Sequence, residues 1–105
     1  MFHGQATYYH LSGVTACGTT HSDQDFVCAL NSQQFDTHTP HGNPNNNALC
    51  GRKVSVTGPS GTVTVRIVDR LPSGGYGDLD LSPAAFVQIA GSLEVGRVNI
   101  EWEFV

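Results

Sequence analysis

The alternation of apolar and polar residues in short segments is the feature that most constrains the fold. It is clearest in the last segment, where apolar residues alternate with polar ones: Val98, Ile100, Trp102 and Phe104 against Arg97, Asn99, Glu101 and Glu103. A period of two is that of a β-strand with one buried face and one face in water. We therefore predict a final strand that carries Trp102 in the core.

Other short segments also predict strands, and clusters of glycine, proline, asparagine and serine separate them. The predicted strands cover residues 5–9, 26–30, 53–57 and 62–68. The connections are predicted as a four-residue hairpin loop at 58–61, a turn of helix at 32–35 and one long surface loop at 36–48.

One helix is predicted together with both of its ends. Ser82 is a suitable N-cap, Pro83 fits the first helical position and Gly91 is a typical stop. Phe86 and Ile89 form an apolar stripe between them. Many short strands, one clear helix and no internal repeat predict an all-β fold, either a small barrel or a sandwich.

The length and the charge of the chain restrict its partners. With 105 residues we expect a single domain, and we expect it to be a monomer. A net charge of −4 without a basic run argues against nucleic acid and against an anionic membrane surface as partners. No apolar run approaches the roughly 18 residues of a transmembrane helix. A neutral or basic ligand fits this charge better.

The three cysteines allow one disulfide bond. Cys17 and Cys50 each precede a glycine at a loop end that a disulfide could hold, whereas Cys28 lies in an apolar segment, where a lone cysteine behaves as a small hydrophobic residue. We predict a Cys17–Cys50 bond and a buried, free Cys28. No cysteine spacing indicates zinc, and we expect His38 and His41 to be solvated, so no metal or cofactor is expected.

Two carboxylates, Asp69 and Asp80, flank a glycine-rich return that contains Tyr76. An alternating apolar segment leads into Asp69, and a shorter one carries Asp80 to the helix start. Both acids are therefore expected at the ends of elements, where binding groups are usually held, and the pair favours a binding cleft. The alternative is that Asp69 only caps a turn and pairs with Arg70 or Arg66.

Six short motifs then follow in register along almost the whole chain: Gly4-Gln5-Ala6-Thr7-Tyr8-Tyr9, Ala16-Cys17-Gly18, Cys50-Gly51, Val68-Asp69-Arg70, Leu79-Asp80-Leu81-Ser82 with Ala85-Phe86, and Gly96-Arg97-Val98-Asn99-Ile100-Glu101-Trp102. In this order the chain resembles the expansin-like and rare-lipoprotein-A-like double-psi β-barrels, and within them the single-domain fungal loosenins. The resemblance implies an all-β, six-stranded double-psi β-barrel over residues 1–105, with one or two short helices and no second carbohydrate-binding module.

The resemblance also implies a polysaccharide groove. The groove positions of expansin-like members fall on Thr7, Tyr9, Asp69 and Asp80 of this chain. Strand alternation independently puts Thr7 and Tyr9 on one face. In related glycoside hydrolases of family 45 the counterpart of Asp80 is the general acid, and in expansins it is needed for wall loosening without hydrolysis.

Two departures from the family pattern concern the segment after Asp69. Expansin-like members often have an aromatic residue where this chain has Leu71, and fungal relatives usually have a cysteine pair in the stretch that here reads Leu71-Pro72-Ser73-Gly74. Tyr76 could supply a stacking face instead. We therefore add Tyr76 and Asp78 to the candidate substrate-binding residues.

The function that the resemblance implies is that of a secreted protein that binds and loosens cellulose or chitin without hydrolysis. The position of the hydrolases' base falls on His10, so one of the two carboxylates of a glycosidase is missing. One alternative is a weak inverting endoglucanase or lytic glycosidase that uses Asp80 with Asp69 or His10. Another is an inhibitor of papain-like cysteine proteases that inserts residues 36–48 or 73–77 into the protease cleft.

Overall fold

In a computed structural model, which describes residues 1–39 and 42–105, six strands close into a β-barrel. The strands are β1 (Phe2–Tyr8), β2 (Val27–Asn31), β3 (Lys53–Gly58), β4 (Gly61–Leu71), β5 (Leu79–Leu81) and β6 (Val98–Phe104). Around the barrel they follow the order β1, β5, β2, β4, β3, β6. The pairs β1–β5 and β2–β4 are parallel, and the other four pairs are antiparallel. The predicted barrel is confirmed, and the sandwich is excluded.

The core lies inside the barrel, because every second residue of most strands points inward. In β6, Ile100 and Trp102 are buried while Asn99, Glu101 and Glu103 face solvent, as the alternation predicted. Trp102 is fully buried, and its indole Nε1–H donates a hydrogen bond of 2.8 Å to the carbonyl of Gly77. This bond satisfies the polar atom of the largest core side chain.

Two α-helices, α1 (Ser32–Phe35) and α2 (Pro83–Ala90), pack on the barrel. The ends of α2 are those predicted: the Ser82 side chain accepts from the amide of Ala85, and Gly91 has a φ of 89° and donates to the carbonyl of Val87. Phe86 and Ile89 are fully buried. Within the described residues, no helix is long and apolar enough to cross a membrane.

Several predicted boundaries were wrong. Strand β4 continues to Leu71, so Asp69 lies within a strand and not at its end, and Asp80 is the middle residue of β5. The β3–β4 hairpin loop has two residues rather than four, because Gly58 pairs with Gly61. Tyr9 and Phe26 fall just outside β1 and β2.

Residues 36–48 were predicted as one long surface loop, and the described parts of this stretch, 36–39 and 42–48, are more ordered than expected. It contains the 3-10 helices Asp36–His38 and Pro44–Asn46. Asn47 is buried, and its side-chain amide donates to the carbonyl of Phe35 at 2.7 Å and to the hydroxyl of Thr39 at 2.8 Å. These hydrogen bonds from a buried side-chain amide to a backbone carbonyl and to a hydroxyl group hold the polar segment in a folded conformation.

The cysteines occupy the predicted states. Cys17 is bonded to Cys50, which ties the segment after β1 to the turn that precedes β3. Cys28 is free and fully buried in β2. Burial raises the pKa of the Cys28 thiol, and the charge of Asp80 adds to this, so the thiol stays protonated at neutral pH.

Candidate functional site

Strand β2 lies between the two strands that carry the candidate acids. Ala29 of β2 pairs with Asp80 of β5 on one side and with Asp69 of β4 on the other. Two strand spacings separate the Cα atoms of the two acids by about 10 Å. Directly paired residues point to the same face of a sheet, so both carboxylates emerge on the face of Ala29, whose small side chain forms the bottom of the groove between them.

A β-bulge sets the direction of Asp69. The register between β2 and β4 shifts after Cys28, which pairs with Ile67, so that Ala29 pairs with Asp69 and Val68 is the extra residue. Ile67 and Val68 are both buried. Without the bulge Asp69 would continue the inward face of Val65 and Ile67, because the period of a strand is two. The bulge turns the carboxylate out of the core.

Asp80 is held by a hydroxyl group of the neighbouring parallel strand. Thr7 of β1 pairs with Asp80 of β5, and the Thr7 Oγ1 donates to the Asp80 Oδ1 at 2.9 Å. Burial raises the pKa of the Asp80 carboxyl above its usual range, and the charge of Asp69 adds to this. The hydrogen bond from Thr7 and the charge of Arg97 act in the opposite direction. Asp80 is thus a half-buried acid with one side-chain donor.

Asp69 is held by one hydroxyl and two backbone amides. The Tyr9 hydroxyl donates to Oδ2 at 3.2 Å, and the amides of Ala16 and Arg70 each donate to Oδ1 at 2.9 Å. Burial raises the pKa of Tyr9, and the neighbouring carboxylate raises it further, so the hydroxyl remains a donor.

The alternative of an ion pair between Asp69 and a neighbouring arginine is wrong. The Arg70 guanidinium makes two hydrogen bonds to Asp36, at 2.7 and 2.8 Å, and Arg66 donates to the carbonyl of Gly51. Among the described residues neither guanidinium group bonds to Asp69, and Arg70 contacts this carboxylate through its backbone amide alone. Thr7, Tyr9, Asp69 and Asp80 are therefore brought together as two hydroxyl–carboxylate pairs on either side of Ala29.

The other two candidate residues lie on the glycine-rich return between β4 and β5. Asp78 accepts from the amide of Gln5 at 2.8 Å with one oxygen and from the amide of Gly75 at 2.9 Å with the other. Tyr76 is 59% exposed, and its ring contact is with Phe2, at a centroid distance of 6.1 Å. Phe2 is the first residue of β1, whereas Thr7 lies near the end of that strand. The ring contact of Tyr76 with Phe2 therefore does not join Tyr76 to the acid pairs.

The histidines have local partners. His10 is exposed, and its Nδ1 lies 2.7 Å from Asp23 Oδ2, a hydrogen bond that lowers the pKa of the Asp23 carboxyl. His38 contacts the Thr37 hydroxyl at 2.9 Å, and His41 lies outside the described residues. Over residues 1–39 and 42–105, no three histidine, cysteine or acidic side chains are grouped to hold a metal ion.

Sequence reasoning missed three residues around the groove. Ala29 carries no chemical signal, and only strand pairing puts it between the acids. Arg97 was assigned to the solvent face of the predicted final strand, yet its charge lowers the pKa of Asp80. Gln5 lines a small hollow beside Thr7. Alternation could have grouped Gln5 with Thr7, since they are two residues apart on one strand.

Comparison with known proteins adds a family and several relatives. Residues 1–105 match the Barwin family. The chain is 42% identical over 106 aligned residues to Papain inhibitor of Streptomyces mobaraensis, covering 97% of this chain and 70% of that protein. It is 47% identical over 58 residues to Expansin-YoaJ of Bacillus subtilis (strain 168), and this alignment covers 55% of this chain and 25% of that protein.

Solved structures share the barrel. Streptomyces papain inhibitor (SPI) superposes with a TM-score of 0.85 at 36% identity, over 100% of this chain and 93% of that one. A mutant Clavibacter michiganensis expansin in complex with cellohexaose superposes with a TM-score of 0.80 at 30% identity, over 99% of this chain and 50% of that one. The predicted double-psi barrel and the expansin-like resemblance are confirmed.

Proposed function

Because the chain belongs to the Barwin family, we propose that it binds cell-wall polysaccharide, cellulose or chitin, and loosens it without cutting the chain. The observation that carries the proposal is the pair of hydroxyl–carboxylate contacts, Thr7 with Asp80 and Tyr9 with Asp69. The Clavibacter expansin that shares the barrel was solved with cellohexaose.

The chemistry of the two pairs suits sugar hydroxyls. A carboxylate accepts up to about four hydrogen bonds, and Asp80 has one described side-chain donor, Thr7. A glycan hydroxyl can therefore donate to the oxygens that remain. A hydrogen bond from a sugar hydroxyl to the Asp80 carboxylate would compete with the hydroxyl–hydroxyl hydrogen bonds between neighbouring glycan chains. Binding at this site would therefore separate those chains.

The proposed function does not include hydrolysis, because hydrolysis needs a general base in addition to the acid. Inverting glycosidases place a general base about 6.5–9.5 Å from the acid. The residue at the hydrolases' base position, His10, is exposed and is held by Asp23. Asp69, the other candidate base, already accepts one hydroxyl and two amide hydrogen bonds, so little of its acceptor capacity remains for a water molecule.

The experiment is a pull-down on insoluble cellulose, chitin and peptidoglycan, with reducing-sugar release and filter-paper weakening measured on the same samples. We expect binding and weakening without sugar release. Asp80→Asn should abolish weakening, whereas Glu103→Gln, which removes an exposed charge from the outer face of β6, should change nothing. Sugar release that vanished in Asp80→Asn would replace this proposal with the glycosidase alternative.

Inhibition of a papain-like cysteine protease is the second candidate, because the chain is 42% identical to Papain inhibitor over 97% of its length. Inhibition would use exposed loops, such as the return that presents Tyr76. A residual-activity assay of papain at increasing protein concentration tests it. Asp80→Asn should inhibit as well as the wild type does, whereas Tyr76→Ala should weaken inhibition. Full papain activity at a large molar excess of the protein would eliminate this candidate.

We also propose that the protein is secreted. The Cys17–Cys50 disulfide supports this, because disulfide bonds persist mainly in oxidising compartments. The acidic surface does not favour binding to nucleic acid, in agreement with an extracellular polysaccharide as partner.

A further inference from the structure

We propose that the polysaccharide groove continues past Thr7 along the outer face of β1 and β6, where Gln5, Arg97 and Asn99 form a second sugar-binding section. Its ligand is the neutral, uncharged part of the same glycan chain. This inference rests on the proposed polysaccharide binding, and it adds three residues that are not among the candidate substrate-binding residues predicted from the sequence.

Strand register places the second section directly beside the first. Thr7 and Gln5 lie two residues apart on β1 and share its outer face. Gln5 pairs with Asn99 of β6, and Arg97, which directly precedes β6, lies two residues from Asn99 on the side of Thr7. The polar side chains therefore form a continuous row from the Thr7–Asp80 pair across to the neighbouring strand.

Hydrogen bonds within the row hold its side chains in place. The Gln5 Nε2 donates to the Asn99 Oδ1 at 3.2 Å, and the Arg97 guanidinium donates to the Gln5 Oε1 at 3.0 Å. Side chains that are already oriented lose less conformational entropy when a ligand binds. The described contacts use one of the five N–H donors of Arg97, so its other donors are available to a ligand.

Two hollows along the row share walls. The first has a volume of about 180 Å³ and is lined by Thr7, Gln5, Arg97 and Asp78 among others. The second has a volume of about 550 Å³ and is lined by Gln5, Arg97, Asn99, Val98 and Pro59. Since Gln5 and Arg97 line both, the hollows form one path that leads away from Thr7.

The walls of the second hollow match the two kinds of surface on a sugar ring. Val98 and Pro59 offer apolar surface to the C–H groups, while the row offers hydrogen bonds to the hydroxyls. Arg97 does not favour an anionic sugar here. Its charge acts on Asp80, and Asp78 lines the first hollow beside it, so a ligand carboxylate would meet two protein carboxylates.

The test is the dependence of binding on glycan length. Cellotriose, cellohexaose and the corresponding chitin oligomers are titrated into 15N-labelled protein, and Kd is obtained from amide chemical shifts. We expect the hexamer to bind more tightly than the trimer. Asn99→Ala changes a residue that lines the second hollow but not the first, so it should weaken hexamer binding about fivefold, which is the loss of about one hydrogen bond, and should leave trimer binding unchanged. Gln5→Ala and Arg97→Gln change residues that line both hollows, so each should weaken hexamer binding more than trimer binding.

Controls separate this inference from the function on which it rests. Asp80→Asn should weaken the binding of both lengths, and Glu103→Gln should weaken neither. Thermal unfolding of each variant checks that the exposed substitutions leave the fold intact. If trimer and hexamer bind equally and the row variants behave as wild type, the second section does not exist while polysaccharide binding stands. If no oligomer and no insoluble polysaccharide binds, both proposals fail.

Discussion

Asp78 and Asp80 are two residues apart, yet they occupy regions of opposite character. Both oxygens of Asp78 accept backbone amides, from Gln5 and from Gly75, so this carboxylate joins the glycine-rich return to β1. Asp80 accepts from a side chain, the Thr7 hydroxyl, and lies opposite Asp69 across Ala29. Each oxygen of the first is bonded to a backbone amide of the fold, and the second keeps one oxygen without a described donor.

The difference continues in what lies beneath each acid. Under the return, the indole of Trp102 donates to the carbonyl of Gly77. The backbones of the return and of β1 approach so closely that a Cβ on Gly4 would overlap the backbone of Gly77, and a Cβ on Gly77 would overlap the carbonyl of His3. Under the groove, Ala29 separates the acids by pairing with both of them, and the bulge between β2 and β4 lies beside it. The return is thus a structural support, and the groove is a surface that the support leaves open.

Removing Trp102 should have the largest effect and should act on the return. Trp102→Ala is expected to lower the free energy of unfolding by about 3–5 kcal/mol, because it removes the largest buried side chain. Trp102→Phe keeps most of the volume but leaves the Gly77 carbonyl without its donor, so its loss should be smaller, about 1–3 kcal/mol. Urea unfolding followed by circular dichroism measures both. Equal losses would mean that the hydrogen bond to Gly77, and not the volume of the ring, supports the return.

Removing the disulfide should act on the groove side instead. Cys17 neighbours Ala16, whose amide holds Asp69, and the Cys17 amide donates to the carbonyl of Val68 in the bulge. Cys17→Ser/Cys50→Ser should cost about 2–5 kcal/mol in unfolding free energy. Polysaccharide binding, measured at a temperature where the variant is folded, should also weaken. Unchanged binding would indicate that the hydrogen bonds of Asp69 suffice without the bond.

Matched amide substitutions compare the two acids directly. Asp78→Asn should lose about 1 kcal/mol of unfolding free energy, because one of its two backbone contacts then faces an N–H group instead of an oxygen. Asp80→Asn should be neutral or slightly stabilising, because its amide oxygen still accepts from Thr7, and it should abolish wall weakening. Chemical denaturation and the paper-weakening assay give the two readouts. A reversed pattern would contradict the division between support and site.

The pH dependence of stability should show the smallest effect. Because the folded-state pKa of Asp80 is raised, the native state binds its proton more tightly than the unfolded state does, so the contribution of Asp80 falls as pH rises through the folded pKa. The advantage of Asp80→Asn over wild type should therefore grow from about pH 4 upward and then level off. The lowered pKa values of Asp23 and Asp36 act in both proteins and cancel. An advantage that did not vary with pH would show that Asp80 is not perturbed.

The elements that were predicted correctly are those whose sequence signal lies in residues close together along the chain. The ends of α2 follow from Ser82, Pro83 and Gly91, and the burial of Trp102 follows from strict alternation. The pairing of Cys17 with Cys50 followed from their positions at loop ends. Boundaries set by tertiary hydrogen bonds were missed. Buried Asn47, for example, orders a segment whose polar composition is typical of a loop.

The sequence by itself determined the class of fold and predicted the candidate groove residues, because alternation and motif order are properties of neighbours along the chain. Tertiary structure alone decided which way Asp69 points. Alternation from Val63 through Ile67 assigns residue 69 to the inward face, and the bulge at Val68 reverses this. The bulge lies in the parallel pairing of β4 with β2, which joins residues 40 positions apart, Ala29 and Asp69, so no pattern of neighbouring residues reports it.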